Sequence, residues 1–501
     1  MKNYLLIIIA VLASSALQAQ ETTPDDALRY AVENLTGTAR FRGMSGAFGA
    51  IGGDLSSINQ NPAGSIFFNN NYATFTGASY NSKNISNYYG TTTKDNNNSL
   101  DLNQAGVVFV FKDNNPKNDW KKFTVALNYE NNNNFNNTIY SAGINPSNSI
   151  DKYFLRFANG LPQEGGITLQ TLKYANFENL NFIDQQAFLG YQAYIFNPVD
   201  ATNLQNSTYV SNVPTNGNYF QDNYTITSGY DGKFTANFAT AYKDILFLGI
   251  NLDYHYTNIT KTNSVFEAYD TVNPTIGLQS VQFDTETHTL GNGYSLNLGA
   301  IVKATQRLRI GIAYQSPTWY RLKDEQRQAV YANNNNSQIE FNPGVTMVYL
   351  PYTVQTPSKW TGSLAYIFGK KGLLSADVST KNYSRTKFTP KDDYAGINSY
   401  ISNVLDNAIE VRLGGEFKYK QMSYRAGYHF DQSPYKVDQP FGDLTGYSGG
   451  LGYTFGENRI DLAYSYDHRN RNISFLSSGM TDPARISSYN NNIIISYSMN
   501  F

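Results

Sequence analysis

The last eleven residues, Asn491 to Phe501 (NNIIISYSMNF), put Ile493, Ile495, Tyr497, Met499 and Phe501 on one parity and Asn492, Ser496, Ser498 and Asn500 on the other. A strand of this sequence is apolar on one face and polar on its reverse. Termini of soluble domains usually fray. A period of two carried to a terminal aromatic instead marks a strand that closes a larger structure.

The same alternation recurs along the chain. It is found at Phe123 to Tyr129, Phe234 to Tyr242, Leu246 to Tyr256, Tyr294 to Val302, Leu308 to Tyr314 and Trp360 to Phe368. Leu374 to Thr380, Val411 to Tyr419, Met422 to Phe430, Tyr447 to Phe455 and Ile460 to Tyr466 repeat it. With weaker segments at Tyr72 to Tyr80 and Ala105 to Phe111, and the terminal strand, the pattern predicts about fourteen strands. An even number suits a closed antiparallel barrel. Mean hydropathy is −0.44, which a transmembrane barrel tolerates because only alternate residues face lipid.

Composition points the same way. The 501 residues include 40 Tyr, 30 Phe and 39 Gly with only 15% charged residues, a balance that favours aromatic-rich strands over helices. A net charge of −1 gives no basic surface for nucleic acid, and the absence of Cys removes disulfides and thiolate chemistry.

Connections alternate in length. Tyr242 to Asp244, Ala304 to Arg307, Gly369 to Gly372, Tyr419 to Gln421 and Gly456 to Arg459 are short, and long segments are expected on either side of each. Outer-membrane barrels join strands by short periplasmic turns and longer external loops. The Asn-rich runs Asn131 to Asn137 and Ala332 to Gln338 read as solvated loop tips. The longest connection, roughly Asn131 to Gly232, contains two stretches spaced for short helices, DKYFLRFANG and Asn181 to Phe196.

The N-terminus resembles a secretory signal peptide over residues 1–19: Lys2, the apolar run Leu5 to Ala13, and small residues at Ala16 and Ala19 before Gln20 or Glu21. Leu17 departs from the usual small residue, which leaves a retained anchor as the alternative. No later stretch approaches the roughly 20 apolar residues of a spanning helix.

Strand parity sorts the interior. With Val411, Leu413, Phe417 and Tyr419 toward lipid, Glu410, Arg412, Glu416 and Lys418 face the lumen, joined by Arg425, His429, Asp253, His255, Arg309, Asp377, Lys381, Asp461 and Asp467. Such charges are expected to pair. Gly249, Gly299, Gly311, Gly414, Gly427, Gly450 and Gly452 share that parity and leave room inside.

Between the signal and the first strand lie PDDALRYAVENL (Pro24 to Leu35), a reasonable helix start, and RFRGMSGAFGAIGGDLSSINQNPAG (Arg40 to Gly64). The glycine-rich stretch, Asp54, Ser56 and Asn61-Pro62-Ala63-Gly64 resemble the N-terminal hatch of the outer-membrane long-chain fatty acid transporter family, the OmpP1/FadL/TodX type. Arg307 to Pro317, Thr356 to Trp360, EVRLGGEFKY and the terminal Phe501 match that family in order and spacing. The Asn131 to Gly232 connection departs from it.

The resemblance implies an all-β, monomeric, fourteen-stranded barrel (residues 71–501) plugged by a hatch (residues 20–70) in the outer membrane of a Gram-negative bacterium, among lipid and lipopolysaccharide. It implies uptake of a hydrophobic ligand such as a long-chain fatty acid, released as the hatch shifts or through a lateral opening, with no cofactor. On this reading Asn61 and Asp54 hold the plug against the wall, Gly43, Gly46 and Gly64 allow close backbone approach, and Pro62 and Ala63 complete the motif. Arg40, Arg42, Arg309, Arg412 and Arg425 are the candidates to orient an anionic head group. The alternative within the same resemblance is a shuttle or anchoring partner in protein secretion. Four His without a local nucleophile motif, and no HExxH, Cys pair or EF-hand loop, argue against an enzyme or a metal site.

Overall fold

A computed structural model describes residues 22–115, 117–160, 165–215, 217–270, 277–334, 337–437 and 440–501. The segment read as a signal peptide lies outside the described residues.

Fourteen strands close into one antiparallel barrel. They are β1 (Tyr72–Tyr88), β2 (Thr91–Lys112), β3 (Trp120–Asn134, continued by Asn137–Asn145), β4 (Tyr219–Tyr242), β5 (Leu246–Tyr269), β6 (Leu278–Lys303) and β7 (Leu308–Gln315, continued by Trp319–Asn334). The second half comprises β8 (Tyr352–Gln355, continued by Lys359–Ile367), β9 (Gly372–Asn382), β10 (Asn407–Tyr419), β11 (Met422–Asp431), β12 (Phe441–Phe455), β13 (Asn458–Ser474) and β14 (Pro483–Asn500). Each strand pairs with its neighbour in sequence, and β14 returns to β1 from Asn500 opposite Tyr72 to Arg485 opposite Asn87. The terminal alternation is therefore the closing stave, with Ile493, Ile495, Tyr497 and Met499 outward and Ser496 and Ser498 buried inside.

Tight turns fall at one end. Lys243 and Asp244 both adopt positive φ (51° and 54°), the hairpin geometry that matches strand twist, and Lys420, Gly369 and Gly456 mark others. Alternation of long and short connections fails at the first hairpin: β1 and β2 are joined at the opposite end by only Tyr89 and Gly90.

The Asn-rich run Asn131 to Asn134 is also not a loop tip. It completes the first part of β3, with Asn131 and Asn133 buried, and Asn131 donates to Asp101. The long connection accordingly shrinks to the segment between Asn145 and Tyr219. It holds α3 (Asp151–Asn159), α4 (Leu169–Tyr174), α5 (Phe182–Gln192) and a small hairpin of Phe196–Pro198 with Tyr209–Ser211. Both predicted helical stretches form. They pack as a cap in which Phe154, Phe188 and Phe196 meet Phe283, Val330 and Phe475 from the barrel rim.

Strands β4, β5 and β6 run 24, 24 and 26 residues, well beyond the roughly 9–11 needed to cross a bilayer. Their outer halves stand above the membrane and carry the cap.

Candidate functional site

The chain enters the lumen from the capped end. Pro24 opens α1 (Pro24–Ala31), and Thr23 closes its first turn through hydrogen bonds to the Asp26 carboxylate at 2.8 and 2.9 Å. Its apolar face, Ala27, Leu28, Tyr30 and Ala31, is buried against Ile259, Tyr320, Leu322, Val354, Phe388 and Ile401. The Tyr30 and Tyr320 rings lie 5.2 Å apart.

Below α1 the descending segment is tied to the wall side chain by side chain. Glu33 accepts from Lys381 at 3.0 Å, from Gln315 at 3.2 Å and from Lys359. Burial acts against the Glu33 carboxylate, but Lys359 and Lys381 outweigh it and hold the group well below the usual carboxylate range. On the other side Asn34 donates to Asn133 at 2.6 Å, Thr36 to Glu130 at 3.3 Å, and the Gly37 N–H to Asn103 at 2.8 Å.

The hatch proper then folds as α2 (Ala39–Arg42) and two 3-10 turns, Leu55–Asn59 and Pro62–Phe67. Asn61 is its main wall clamp. Its amide donates to the Gly49, Ala300 and Ile312 carbonyls at 2.9, 3.1 and 3.3 Å, while its oxygen accepts the Ala63 N–H at 3.1 Å. One side chain thus holds a hatch loop, strands β6 and β7, and the start of a 3-10 turn. Asn237 on β4 donates to the Pro62 carbonyl at 2.8 Å, and Asn251 on β5 to the Ile58 carbonyl at 2.9 Å. The Ala39 N–H donates to Ser496 on β14 at 2.7 Å, and Ser496 also meets Thr76 on β1 at 2.7 Å.

Asp54 does something else than the sequence suggested. Among the described residues it bonds only within the hatch, accepting from Thr38 at 2.8 and 2.9 Å and from the Ser56 N–H at 3.0 Å. It fastens the first hatch segment to the second and caps a turn, because the carboxylate points back along the chain instead of across it. Burial pushes its carboxyl up, against Arg40 and Thr38.

The lumen glycines show what occupies the space they leave. A Cβ on Gly249 would strike Pro62 and Ala63, one on Gly299 would strike Asn61, and one on Gly311 would strike Gly49. Gly414 and Gly427 face Met44, and Gly450 lies against Gly43, whose own Cβ would sit 3.3 Å from the Gly450 Cα. Only Gly452 faces other wall residues, Arg459 and Asp461. Within the hatch Gly46 holds φ of 73° beside Arg412, and Gly64 packs on Ser57 and Gly52.

The five arginine candidates divide. Arg40 and Arg425 share Glu416, at 3.0 and 2.8 Å, and Arg425 also reaches Asp461 at 2.7 Å. Arg309 donates to the hatch carbonyl of Ile51 at 2.7 Å and stacks over Phe67. Arg42, fully buried, donates to Ser465 at 2.6 Å and faces the Tyr80 ring. Arg412 lies 3.6 Å from Glu410 and alone among the five lines the internal cavity. His288 and His468 are strand residues, bonded to Asn258 and stacked on Tyr489.

That cavity, about 70 Å³, lies between α1 and the hatch and is walled by Tyr30, Tyr320, Glu130, Lys233, His255 and Arg412 among others. Its volume is far below the roughly 300–1,000 Å³ of ordinary ligand pockets, so the hatch and α1 leave no room here for a whole ligand. Lys233 was not singled out from the sequence. It is buried, yet among the described residues it has no ion pair within 4 Å. The signal existed, since Lys233 shares the inward parity of Thr235 and Asn237.

The wall around the cavity is interrupted twice. Main-chain pairing of β2 with β3 stops at Gln104 opposite Glu130. Beyond it the strands are bridged by side chains, among them Asn134 to Asp101 at 3.2 Å and Asp95 accepting the Tyr140 N–H at 2.8 Å. Pairing of β7 with β8 lapses between Gln315 opposite Lys359 and Trp319 opposite Gln355. Pro317 and Pro357 fall in that gap and supply no N–H. Thr318 and Thr356 bridge it, the Thr356 N–H donating to the Thr318 carbonyl at 3.0 Å and the Thr356 hydroxyl accepting the Thr318 N–H at 2.9 Å, while Ser316 turns to β6 and accepts the Leu296 N–H at 2.9 Å. Thr318 and Thr356 also line the cavity.

Comparisons with known proteins agree with this geometry. Residues 232–500 match the family described as outer membrane protein transport protein (OMPP1/FadL/TodX). No curated protein sequence matches. Among solved structures, a Pseudomonas aeruginosa FadL homologue is 14% identical, with 94% of this chain and 99% of that one covered and a TM-score of 0.54. The Pseudomonas putida toluene transporter TodX is 15% identical, with 93% and 99% covered and a TM-score of 0.52. At that identity the likeness is one of fold. The family match, the closed fourteen-stranded barrel and the hatch inside it establish that the chain belongs to the OmpP1/FadL/TodX family of Gram-negative outer-membrane channels for hydrophobic compounds, a transport family and not an enzymatic one.

Proposed function

We propose that the cargo is a long-chain fatty acid and that its site is the ground now held by α1 together with the cavity beneath. The observation that carries this reading is the sequence of environments along the lumen. An apolar pocket filled by Leu28, Tyr30 and Ala31 adjoins, through Tyr30 and Tyr320, a polar cavity holding Lys233, which has no carboxylate within 4 Å among the described residues. A ligand with a long apolar tail and one anionic end satisfies both. Burying the tail repays roughly 25 cal/mol per Å² of apolar area, and Lys233 or Arg412 gives the carboxylate a charge-assisted hydrogen bond. A neutral aromatic hydrocarbon would leave Lys233 to the attraction of Glu130, Asp231 and Asp253 alone, none of them within 4 Å of it.

Conduction follows release of the hatch. Asn61 is the wall clamp, with Pro62 and Ala63 presenting the turn to β4 and β5. Asp54 keeps the hatch folded as one piece, and Gly43, Gly46 and Gly64 let it seat closely. The two interruptions in the wall, both beside the cavity or the hatch, favour a sideways exit into the membrane.

The test is uptake of radiolabelled oleate and of radiolabelled toluene by cells lacking the gene. They are complemented with the intact protein, Lys233→Ala or a chain lacking residues 24–31, at matched surface abundance. The fatty-acid reading expects oleate uptake that Lys233→Ala reduces several-fold. Toluene uptake alone would assign an uncharged cargo. The rival reading, a secretion partner, draws on Tyr174, Tyr194, Val199 and Val210, all more than half exposed on the outer cap. It expects neither uptake but a protein that co-purifies stoichiometrically.

A further inference from the structure

Above the membrane the extended strands β5, β6 and β7 present two different faces. Val265, Val281, Phe283 and Val330 point inward, where each is 0–2% exposed beneath the cap. Residues of the opposite parity form an outward groove of about 240 Å³, lined by Phe266, Ser280, Gln282, Asp284, Tyr331 and Asn333, with Gln338 at its edge.

Two features distinguish this groove from an ordinary solvated sheet face. It combines two aromatic rings, Phe266 and Tyr331, with three amides, the Ser280 hydroxyl and a carboxylate. The polar groups are also held in place by one another. Asp284 accepts from Ser264 at 2.6 Å and from Gln282 at 3.0 and 3.1 Å, and Asn333 donates to Ser280 at 2.9 Å. Fixed donors and acceptors beside half-buried aromatic rings suit a pyranose, whose C–H face packs on an aromatic ring while its hydroxyl edge takes paired hydrogen bonds.

Position selects the source of that sugar. On β5 the outward apolar residues Leu248, Ile250 and Leu252 give way to Tyr254, the aromatic belt, and then to Asn258, Thr260 and Thr262. Phe266 lies twelve residues beyond Tyr254, roughly 40 Å along the strand at about 3.3 Å per residue. At that height the medium pressed against the outside of the barrel is the saccharide layer of lipopolysaccharide.

We infer that this groove binds a sugar of the surrounding lipopolysaccharide, fixing the rim of the barrel in the glycan layer independently of cargo in the lumen. The inference does not rest on the identity of the cargo. The test uses full-length detergent-solubilised protein and the oligosaccharide freed of lipid A by mild acid from the lipopolysaccharide of its own outer membrane. Binding is read by saturation-transfer NMR and calorimetry. The intact protein binds, and Phe266→Ala with Tyr331→Ala weakens binding at least ten-fold, as does Gln282→Ala alone. Tyr254→Ala in the aromatic belt leaves it unchanged. Folding is checked for every variant by the heat-dependent mobility of the barrel in gels. Failure of the intact protein to bind the oligosaccharide, equal binding by the groove variants, or binding confined to lipid A would each overturn the assignment.

Discussion

The side-chain amide of Asn61 fills the place that a β-carbon on Gly299 would take. The hatch motif and the wall glycine are two halves of one contact, and neither has a function in isolation. From that contact Asn61 reaches carbonyls on β6 and β7. Asn61→Ala deletes bonds worth about 1 kcal/mol each and leaves those carbonyls short of a donor. The leak conductance of the purified barrel in planar bilayers should rise about ten-fold or more, with the barrel's thermal transition unmoved.

Gly299→Val makes the complementary change. The added carbons collide with Asn61 and Pro62, while the strand itself gains a residue that suits it. The expected result is a barrel that inserts normally with its hatch unseated, shown by trypsin cleavage after Arg40 or Arg42 that the intact protein resists. A Val at Gly362, which has open space around its Cβ position, should leave the hatch protected.

Glu33 makes the seat of the descending segment acid-resistant. Its carboxyl is held below its ordinary value by Lys359 and Lys381. The stabilisation is therefore present above the unfolded value of about 4.3 and is lost only as pH falls through the depressed folded value. Conductance of the intact protein should be flat from pH 8 to about pH 5. Glu33→Gln should leak at every pH in that window, since it cannot carry the charge.

Ser316, at the edge of the gap between β7 and β8, ties β7 to β6 by accepting the Leu296 N–H. Ser316→Ala leaves the Leu296 N–H without its hydroxyl partner. Hydrogen exchange at Leu296 should accelerate by about five-fold, matching a bond of about 1 kcal/mol, while exchange in β12 and β13 stays as it was.

Much of this architecture was legible in the sequence where one face of a strand meets lipid. There the period of two is enforced by the solvent, and the segments from Leu246 to Tyr256 or Ile460 to Tyr466 declare themselves. The signal fails above the membrane, where both faces of Thr91 to Asn98 are wet and no apolar alternation marks them as strand. It also fails at Asn131 to Asn134, because asparagines that read as a turn serve here to bridge strands whose main chains have parted. Parity located the lumen charges and glycines correctly. It could not say that the plug fills the space at six of the seven glycines, nor that Asp54 turns inward to Thr38 while Asn61 turns outward, since that depends on how the hatch folds.

Ser496 joins the first and last strands to the plug, for it is held at once by Thr76 of β1 and by the Ala39 N–H. The hatch is made before any stave, and the stave that completes the circle is made last. One hydroxyl therefore registers the closing seam of the ring against the plug, so the two ends of the barrel and its stopper share a single reference point.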